Sequence, residues 1–377
     1  MPPLQAALPA AYYIDQSHWR REREQVLHRE WFCAGRLCDL GLVAEDGSPA
    51  TQRLAVVDVA GESVLVTCDA DGALHGFYNV CRHRGSQVVP VEPRAGRPAP
   101  CPAASLRCPY HSWTYDLSGR LLRAPHTEEV TDFDPGSFGL TPVAADTWGG
   151  FVFLHLTPEE APPLLESLGA VPRRLSRYPL ASLVVGHRLT YDVAANYKVV
   201  LENYNECYHC AGVHPELVRL VPAFARGGTG LDWTNGIAHR PGAWTFSDSG
   251  TSLRNRFPDL DAHEQVRHKG ELVYPNLMLS LSADHVAAFT LWPTGAGHTR
   301  IECALLFAPD ERDQETFDPS DVVGFWDLVN RQDWAVCASV QRGMSSRGYR
   351  AGWFAPMEEP SLDIRRWLLT RLGDETS

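Results

Sequence analysis

The sequence predicts an α+β protein, and three observations predict it. Between Trp31 and about His155, short β-rich runs such as LAVVDV, SVLVT and ALHGFYNV alternate with the turn signals Gly61-Glu62, Asp71-Gly72 and Ser118-Gly119. That is the texture of a small antiparallel β domain. From about Thr157 the texture changes. SLVVGHRLTYDVAANYKVV reads as a long strand running into a helix, and GIAHRPGAW, LVYPNLMLSL, VAAFTLWP and RIECALLFA read as further strands. Helical patterns at about 319–344 and 361–372 close the chain.

The remaining elements follow in order. Residues 15–32 predict a helix: Asp15 or Ser17 can cap it, and Trp19, Val26, Leu27 and Phe32 recur at helical spacing. Its outer face, RREREQ, is a solvated surface. A mild Pro/Ala/Arg bias marks 90–104, and PPLLESL with 173–178 suggests a helix and a link.

A chain of 377 residues can hold two or three domains with a large core. It is 44% hydrophobic, 10% aromatic and 21% charged, an ordinary globular balance. A formal net charge of -12 argues against nucleic acid as a partner. No apolar run approaches a membrane span, and the opening MPPLQAALPAAYYIDQSHWRRE lacks the charged-then-apolar order of an export signal. The expected location is therefore the cytoplasm. The ten cysteines are expected to be metal ligands or buried thiols rather than disulfides.

Two loops of the β-rich segment carry the strongest signal. Cys81-Arg82-His83-Arg84-Gly85 and Cys108-Pro109-Tyr110-His111-Ser112-Trp113 each supply one thiolate and one imidazole. Four zinc ligands would have the same count. A Cys-x-His pair and a Cys-x-x-His pair on two loops is also the set in which two cysteines hold one iron of a [2Fe–2S] cluster and two histidines the other. Cys101 has no histidine partner nearby. Gly85 and Pro109 are expected to let backbone amides approach the sulfurs, and Trp113 to pack beneath the loop.

Farther on, LENYNECYHCAGVHPEL gathers Glu206, His209 and His214. A spacing of three puts Glu206 and His209 on one helix face. His214 falls off that face, but Pro215 pushes the residue before it out of the helical region. A helix ending near Val213 would then turn His214 back towards His209. Two imidazoles joined by a carboxylate make a face that suits ferrous iron and leaves positions open. Cys207 and Cys210 with His209 give a zinc alternative. Three ligands within one turn are not the separated pairs of a structural zinc site, so both cysteines are expected as small packing residues. Solvated or core histidines are the plain alternative.

The CRHRG and CPYHSW loops resemble those of the Rieske domain of Rieske non-haem iron oxygenases. NECYHCAGVHP resembles the same family's mononuclear iron motif, and the order and separation of the two motifs agree over nearly the whole chain. The resemblance implies a Rieske domain at 31–156 and a catalytic domain at 157–377, with an antiparallel sheet wrapped on helices. Residues 1–30 would pack on the catalytic domain. Cys81, His83, Cys108 and His111 would hold the cluster. His209 and His214 would hold Fe(II) together with an acid from FWDLVNRQDWAVCASVQRG. Asp327 and Asp333 are the candidates there. Asp333, Cys337 and Val340 or Gln341 share one helix face, and the resemblance favours Asp333.

The family further implies an oxygenase component that uses O2 and electrons from NAD(P)H through a separate flavin or iron–sulfur reductase or a ferredoxin. No Gly-rich dinucleotide loop occurs in this chain. Glu206 would bridge to His111 or His83 of a neighbouring subunit, which implies a homotrimer; an ordinary capping or surface acid is the alternative. The best-known ring-hydroxylating members carry Asp there. Glu206 and the closing QRGMSSRGYRAGWFAPMEEPSLDIRRWLL resemble the choline, glycine betaine, carnitine and stachydrine monooxygenases. The expected reaction is hydroxylation or N-demethylation of a quaternary amine. Aromatic-ring dioxygenation is the alternative, and an electron carrier with an inactive iron site a remote one. A quaternary ammonium needs aromatic faces, for which Trp233, Trp244, Tyr274, Phe289 and Trp292 are candidates. Leu277, Met278 and Phe289 would line a flat apolar pocket equally well.

Overall fold

The computed structural model describes residues 4–43, 48, 50–91, 99–228 and 230–374. The chain forms two compact units, residues 27–167 and residues 1–26 with 168–377. Residues 92–98 of the Pro/Ala/Arg-biased stretch lie outside the described residues.

The first unit is β-rich. Its strands are β1 (Phe32–Arg36), β2 (Arg53–Val59), β3 (Glu62–Cys68), β4 (Leu74–Tyr78), β5 (Cys101–Pro102), β6 (Leu106–Arg107), β7 (Thr114–Tyr115), β8 (Leu121–Arg123), β9 (Pro142–Trp148) and β10 (Phe151–His155). An antiparallel sheet runs in the order β1-β10-β9-β4-β3-β2-β5, and β6-β7-β8 form a second, three-stranded sheet. The β2–β3 turn falls one residue before the expected Gly61-Glu62. Val59 pairs with Glu62, and Ala60 and Gly61 both take positive φ (49° and 94°). That is the twist-matched two-residue hairpin geometry.

In the second unit, α1 (Gln16–Glu22) is capped by Asp15, whose carboxylate accepts from the Ser17 and His18 amides. The helical run ends at Leu27, earlier than expected. Phe32 keeps helical spacing in the sequence, yet it is a strand residue paired with Leu154. The main sheet comprises β11 (Val184–Val193), β12 (Ile237–Ala238), β13 (Arg267–Val273), β14 (Leu277–Leu281), β15 (Val286–Gly295) and β16 (His298–Phe307). It is antiparallel, in the order β11-β16-β15-β14-β13-β12. LVYPNLMLSL forms two strands, not one, separated at Tyr274-Pro275-Asn276. GIAHRPGAW keeps only two strand residues, because Pro241 cannot donate to a ladder.

Helices α2 (Tyr197–Tyr204), α3 (Cys210–Val213), α4 (Pro215–Leu220), α5 (Ser320–Met344) and α6 (Glu359–Leu372) complete this unit. Residues 201–217 are thus not one helix. The run breaks after Tyr204 and again at His214, whose φ of -121° and ψ of 68° are non-helical, as the following proline requires. Buried Trp326, Val329, Asn330, Trp334, Cys337 and Gln341 recur at helical spacing on α5, and Asp333 falls within that stripe. Two contacts anchor α2 to the N-terminal residues. Lys198 Nζ meets Glu22 at 2.7 Å with both side chains buried, and Tyr13 Oη donates to Glu202. None of the helices among the described residues is long and apolar enough to cross a membrane.

Candidate metal centres and substrate cleft

Two adjacent loops of the β-rich unit bring the first group of side chains together. The Cys81 amide donates to the Ser86 carbonyl (2.8 Å) and the Gly85 amide to the Cys81 carbonyl (3.0 Å). The second loop repeats this pattern. The Cys108 amide donates to Trp113 (2.8 Å) and the Ser112 amide to Cys108 (3.1 Å). Both thiols are buried in the unit's core beside Leu106, Trp113 and Tyr115. His83 and His111 are exposed, with ring centroids 4.6 Å apart. His83 stacks on Trp113 at 5.0 Å, which fixes the imidazole over the packed indole. Tyr115 Oη lies 3.3 Å from Cys81 Sγ and accepts from the Arg82 amide at 3.1 Å. Burial pushes the Cys81 thiol up, and the Tyr115 hydrogen bond opposes that shift. Two buried sulfurs facing two exposed imidazoles fit a cluster with one iron on each pair. Cys101 is exposed and free, on β5.

The second group forms in the larger unit. His209 Nε2, His214 Nε2 and Asp333 Oδ1 converge: the nitrogens are 3.2 Å apart, and the carboxylate oxygen is 2.8 Å from His214 and 3.3 Å from His209. Bonds of roughly 2.1 Å to a first-row metal, set at right angles, place neighbouring donors roughly 3 Å apart. The opposite ring nitrogens explain why a cation belongs there. His209 Nδ1 is 2.6 Å from Glu206 Oε1, and His214 Nδ1 is 2.7 Å from Gln332 Oε1. Each Nδ1 therefore donates, and with an ion bound both Nε2 lone pairs would face it together with the carboxylate. A cation held by all three donors would satisfy that field, as a proton on His209 does in its absence. The same field shows in His209. Burial opposes its protonation, but hydrogen bonds to Asp333 and Glu206 outweigh burial and push the imidazole up to about 10. Asp333 is held below the usual carboxylate range: burial raises it, and the two histidines lower it further.

Glu206 and His209 lie in the turn between α2 and α3 rather than on a shared helix face. Glu206 Oε2 also accepts from the Tyr208 and His209 amides, so this acid shapes the turn as well as the ring. Cys207 and Cys210, expected as packing thiols, are joined by a disulfide; the other eight cysteines form none. The Cys-x-x-Cys spacing brings the two sulfurs together, with the Cα atoms 5.0 Å apart. Asp327 points elsewhere, to Tyr191 Oη and to Arg331, each at 2.8 Å.

A cleft of about 340 Å³ opens on the His209, His214 and Asp333 side chains. Its wall includes the rings of Tyr204, Phe224, Trp233, Phe246, Tyr274 and Trp326, the acids Glu206, Glu271, Asp333 and Asp363, and, among the described residues, one guanidinium, that of Arg174. Arg174 Nη2 is 2.6 Å from Glu271 Oε2. Burial holds His268 well below its ordinary value and hence neutral. Trp326 is fixed by a hydrogen bond from Nε1 to His285 Nε2 (3.1 Å), and His285 Nδ1 is 2.8 Å from Asp284 Oδ1. Tyr204 Oη donates to the Leu279 carbonyl at 2.7 Å.

Of the expected pocket residues, Trp233 and Tyr274 are on this wall. Leu277, Met278, Phe289 and Trp292 are not. Leu277 and Met278 are fully buried in the sheet, and Phe289 packs against Tyr204 and Trp326 instead of the cleft. Trp292 is half-buried on β15 opposite Arg300. Trp244 carries the Arg256 guanidinium 4.4 Å over its ring. Sequence reasoning missed Gln332, Trp326, Tyr204, Phe246 and the Arg174–Glu271 pair. Gln332 touches a residue 118 positions away, and no local pattern signals that contact.

The ring hydroxylating alpha subunit (catalytic domain) model matches residues 180–374, and the Rieske [2Fe-2S] domain model matches residues 30–134. The glycine betaine monooxygenase oxygenase subunit of Pseudomonas aeruginosa (strain UCBPP-PA14) is 30% identical, over 98% of this chain and 91% of its own length. The crystal structure of the quaternary ammonium Rieske monooxygenase CntA with its substrate L-carnitine shares the fold. Its TM-score is 0.72 at 24% identity, covering 98% of this chain and 96% of that one. Naphthalene 1,2-dioxygenase from Rhodococcus sp. bound to indole also has a TM-score of 0.72, at 18% identity over 98% and 95% of the two chains. The fold thus spans both substrate classes. The chain belongs to the ring-hydroxylating alpha-subunit family, the Rieske non-haem iron oxygenases, and with it takes that family's [2Fe–2S] cluster and mononuclear iron.

Proposed function

We propose that this chain is the oxygenase component of a multicomponent system that hydroxylates or N-demethylates a quaternary amine of the glycine betaine or carnitine kind. The observation that carries this reading is the cleft wall. Four carboxylates against one guanidinium leave an excess of negative charge that a divalent iron does not fully cancel, and six aromatic rings supply faces for an N-methyl cation. A flat arene has no use for that charge. The P. aeruginosa relative's name points the same way.

In this reading Cys81, His83, Cys108 and His111 hold the cluster, and His209, His214 and Asp333 hold the iron. The cluster supplies one-electron transfer and the ferrous iron supplies dioxygen activation at open positions. The chain's own residues do the rest. Gln332 and Glu206 hold the protons on the two Nδ1 atoms, so both Nε2 lone pairs stay aimed at the metal. Tyr204 and Trp326, each tied by a hydrogen bond, offer fixed faces to the ammonium without rotamer loss on binding. Buried Phe246 and Leu217 exclude water around it. Electrons would come from NAD(P)H through a separate reductase or ferredoxin. Exposed His83 and His111 are available to a second copy of the chain, and Glu206 would bridge to one of them within a homotrimer.

Product analysis tests this. The reduced protein is exposed to oxygen with a panel of quaternary amines and simple arenes. Formaldehyde or a hydroxylated amine is the expected product. A hydroxylated ring or a diol, with no amine product, would overturn the reading in favour of arene oxidation.

A further inference from the structure

The Cys207–Cys210 disulfide has no part in the chemistry above, yet it brackets one of the metal-site histidines. It spans Tyr208 and His209 in the turn between α2 and α3, and among ten cysteines it is the one bonded pair. Besides the Gly212 and Val213 amides that bond the His209 carbonyl and the His214 amide that bonds that of Cys210, further contacts hold this turn. The Cys210 amide reaches the Cys207 carbonyl at 3.3 Å, and Asn205 Nδ2 donates to the Pro360 carbonyl at 2.6 Å. Among the described residues Glu206 bonds within the turn, to the Tyr208 and His209 amides and to the His209 ring. The position of His209 Nε2 therefore depends in part on the closure of this turn, and the covalent link is one constraint on that closure. Both half-cystines are buried to within a few per cent, but both also border the cleft. The cleft is the route by which a small reagent would approach the pair.

We propose that Cys207–Cys210 is a thiol–disulfide exchange site, open to small dithiols through the cleft, and that its oxidised form holds His209 in the iron-binding position. This rests on the assignment of His209 as an iron ligand. One thiolate of the dithiol attacks a sulfur of the pair, the Cys207–Cys210 bond breaks and a mixed disulfide forms. The second thiolate then closes the reductant into its own cyclic disulfide. Two electrons pass to the protein, and two protons end on the Cys207 and Cys210 sulfurs. A small disulfide of the same class reverses the step. Reduction frees the turn, so the ring that Glu206 steers loses its fixed direction, as it would on loss of an orienting partner.

The test uses the iron-loaded full chain. Alkylation followed by mass spectrometry of the 207–210 peptide gives the redox state, and transfer of mononuclear iron to a ferrous chelator gives its retention. Cluster absorbance serves as the control for folding. The expected result is a bonded pair as isolated, opened by dithiothreitol but not by a protein dithiol too large for the cleft. Iron release should then be faster by roughly 10- to 100-fold, the range for losing a ligand-orienting contact. Cys207→Ser/Cys210→Ser should release iron at the fast rate with or without dithiol. Two free thiols in the isolated protein, or equal release rates in both redox states, would overturn the proposal. If His209→Ala kept its mononuclear iron, the ligand assignment itself would fail, an outcome separable from the other two.

Discussion

The two candidate metal centres are built by opposite means. The cluster site takes four donors from two short loops of one small domain, with its sulfurs buried and its imidazoles in solvent. The mononuclear site takes its donors from a turn, a helix start and the middle of a 25-residue helix more than a hundred positions away, and its histidines meet at the floor of a cleft. The difference follows the work each does. A relay gains from exposed ligands through which electrons can enter. A site that activates oxygen beside a substrate gains from exclusion of water. It also needs partners such as Gln332 and Glu206 to hold its ligands, because no local loop does so.

That contrast can be broken first at the donors. Cys81→Ala should remove the cluster and all turnover while the second unit keeps its iron, read by the loss of visible absorbance and by metal analysis. Loss of the mononuclear iron in the same variant would mean that the two sites are not independently built. Gln332→Leu comes next. It removes the acceptor for His214 Nδ1, and a weakening of iron affinity by roughly 10- to 100-fold is expected. An unchanged affinity in a chelator titration would show that α5 holds His214 by packing alone. On the cleft wall, Trp326→Leu should raise KM for a quaternary amine by roughly 2- to 30-fold, the equivalent of a cation–π contact of about 0.5–2 kcal/mol. Its uncharged carbon isostere should bind equally well to both forms.

The comparison with sequence legibility follows the same line. CRHRG and CPYHSW could be read because every donor of the cluster site is local, and residue types at short spacing were the whole signal. His214 could be read through Pro215, a restriction that acts on the adjacent residue. Asp333 was reached through helical periodicity and the family resemblance. The pocket was not legible. Strand residues such as Met278 and Phe289 have the right composition, but which of them meets the cleft depends on sheet register and on the helix packed above it. Trp326 lies on a helix read only for its acid. The disulfide was missed for a different reason: the expected cytoplasmic location argued for free thiols or metal ligands over disulfides.

A smaller effect concerns pH. Burial pushes Glu202 up to about 7, against the Tyr13 hydrogen bond and Lys198. The folded chain therefore holds this proton more tightly than the unfolded one. Stability is full below the ordinary glutamate range and falls as pH rises through about 7. Glu202→Gln should raise Tm at pH 8 more than at pH 5. An equal shift at both would show that the carboxyl is ionised throughout. Least of all, Asp327→Asn should leave iron content unchanged, with stability within about 1 kcal/mol, because its partner Arg331 is largely exposed.

The most direct test of the two-site assignment is iron analysis of the native chain beside Asp333→Ala. The account predicts about three irons per native chain, two in the cluster and one mononuclear. The variant should keep about two, an unaltered Rieske spectrum and no product. A variant that kept the third iron, or lost the cluster with it, would contradict the assignment of Asp333, His209 and His214 as one separate centre.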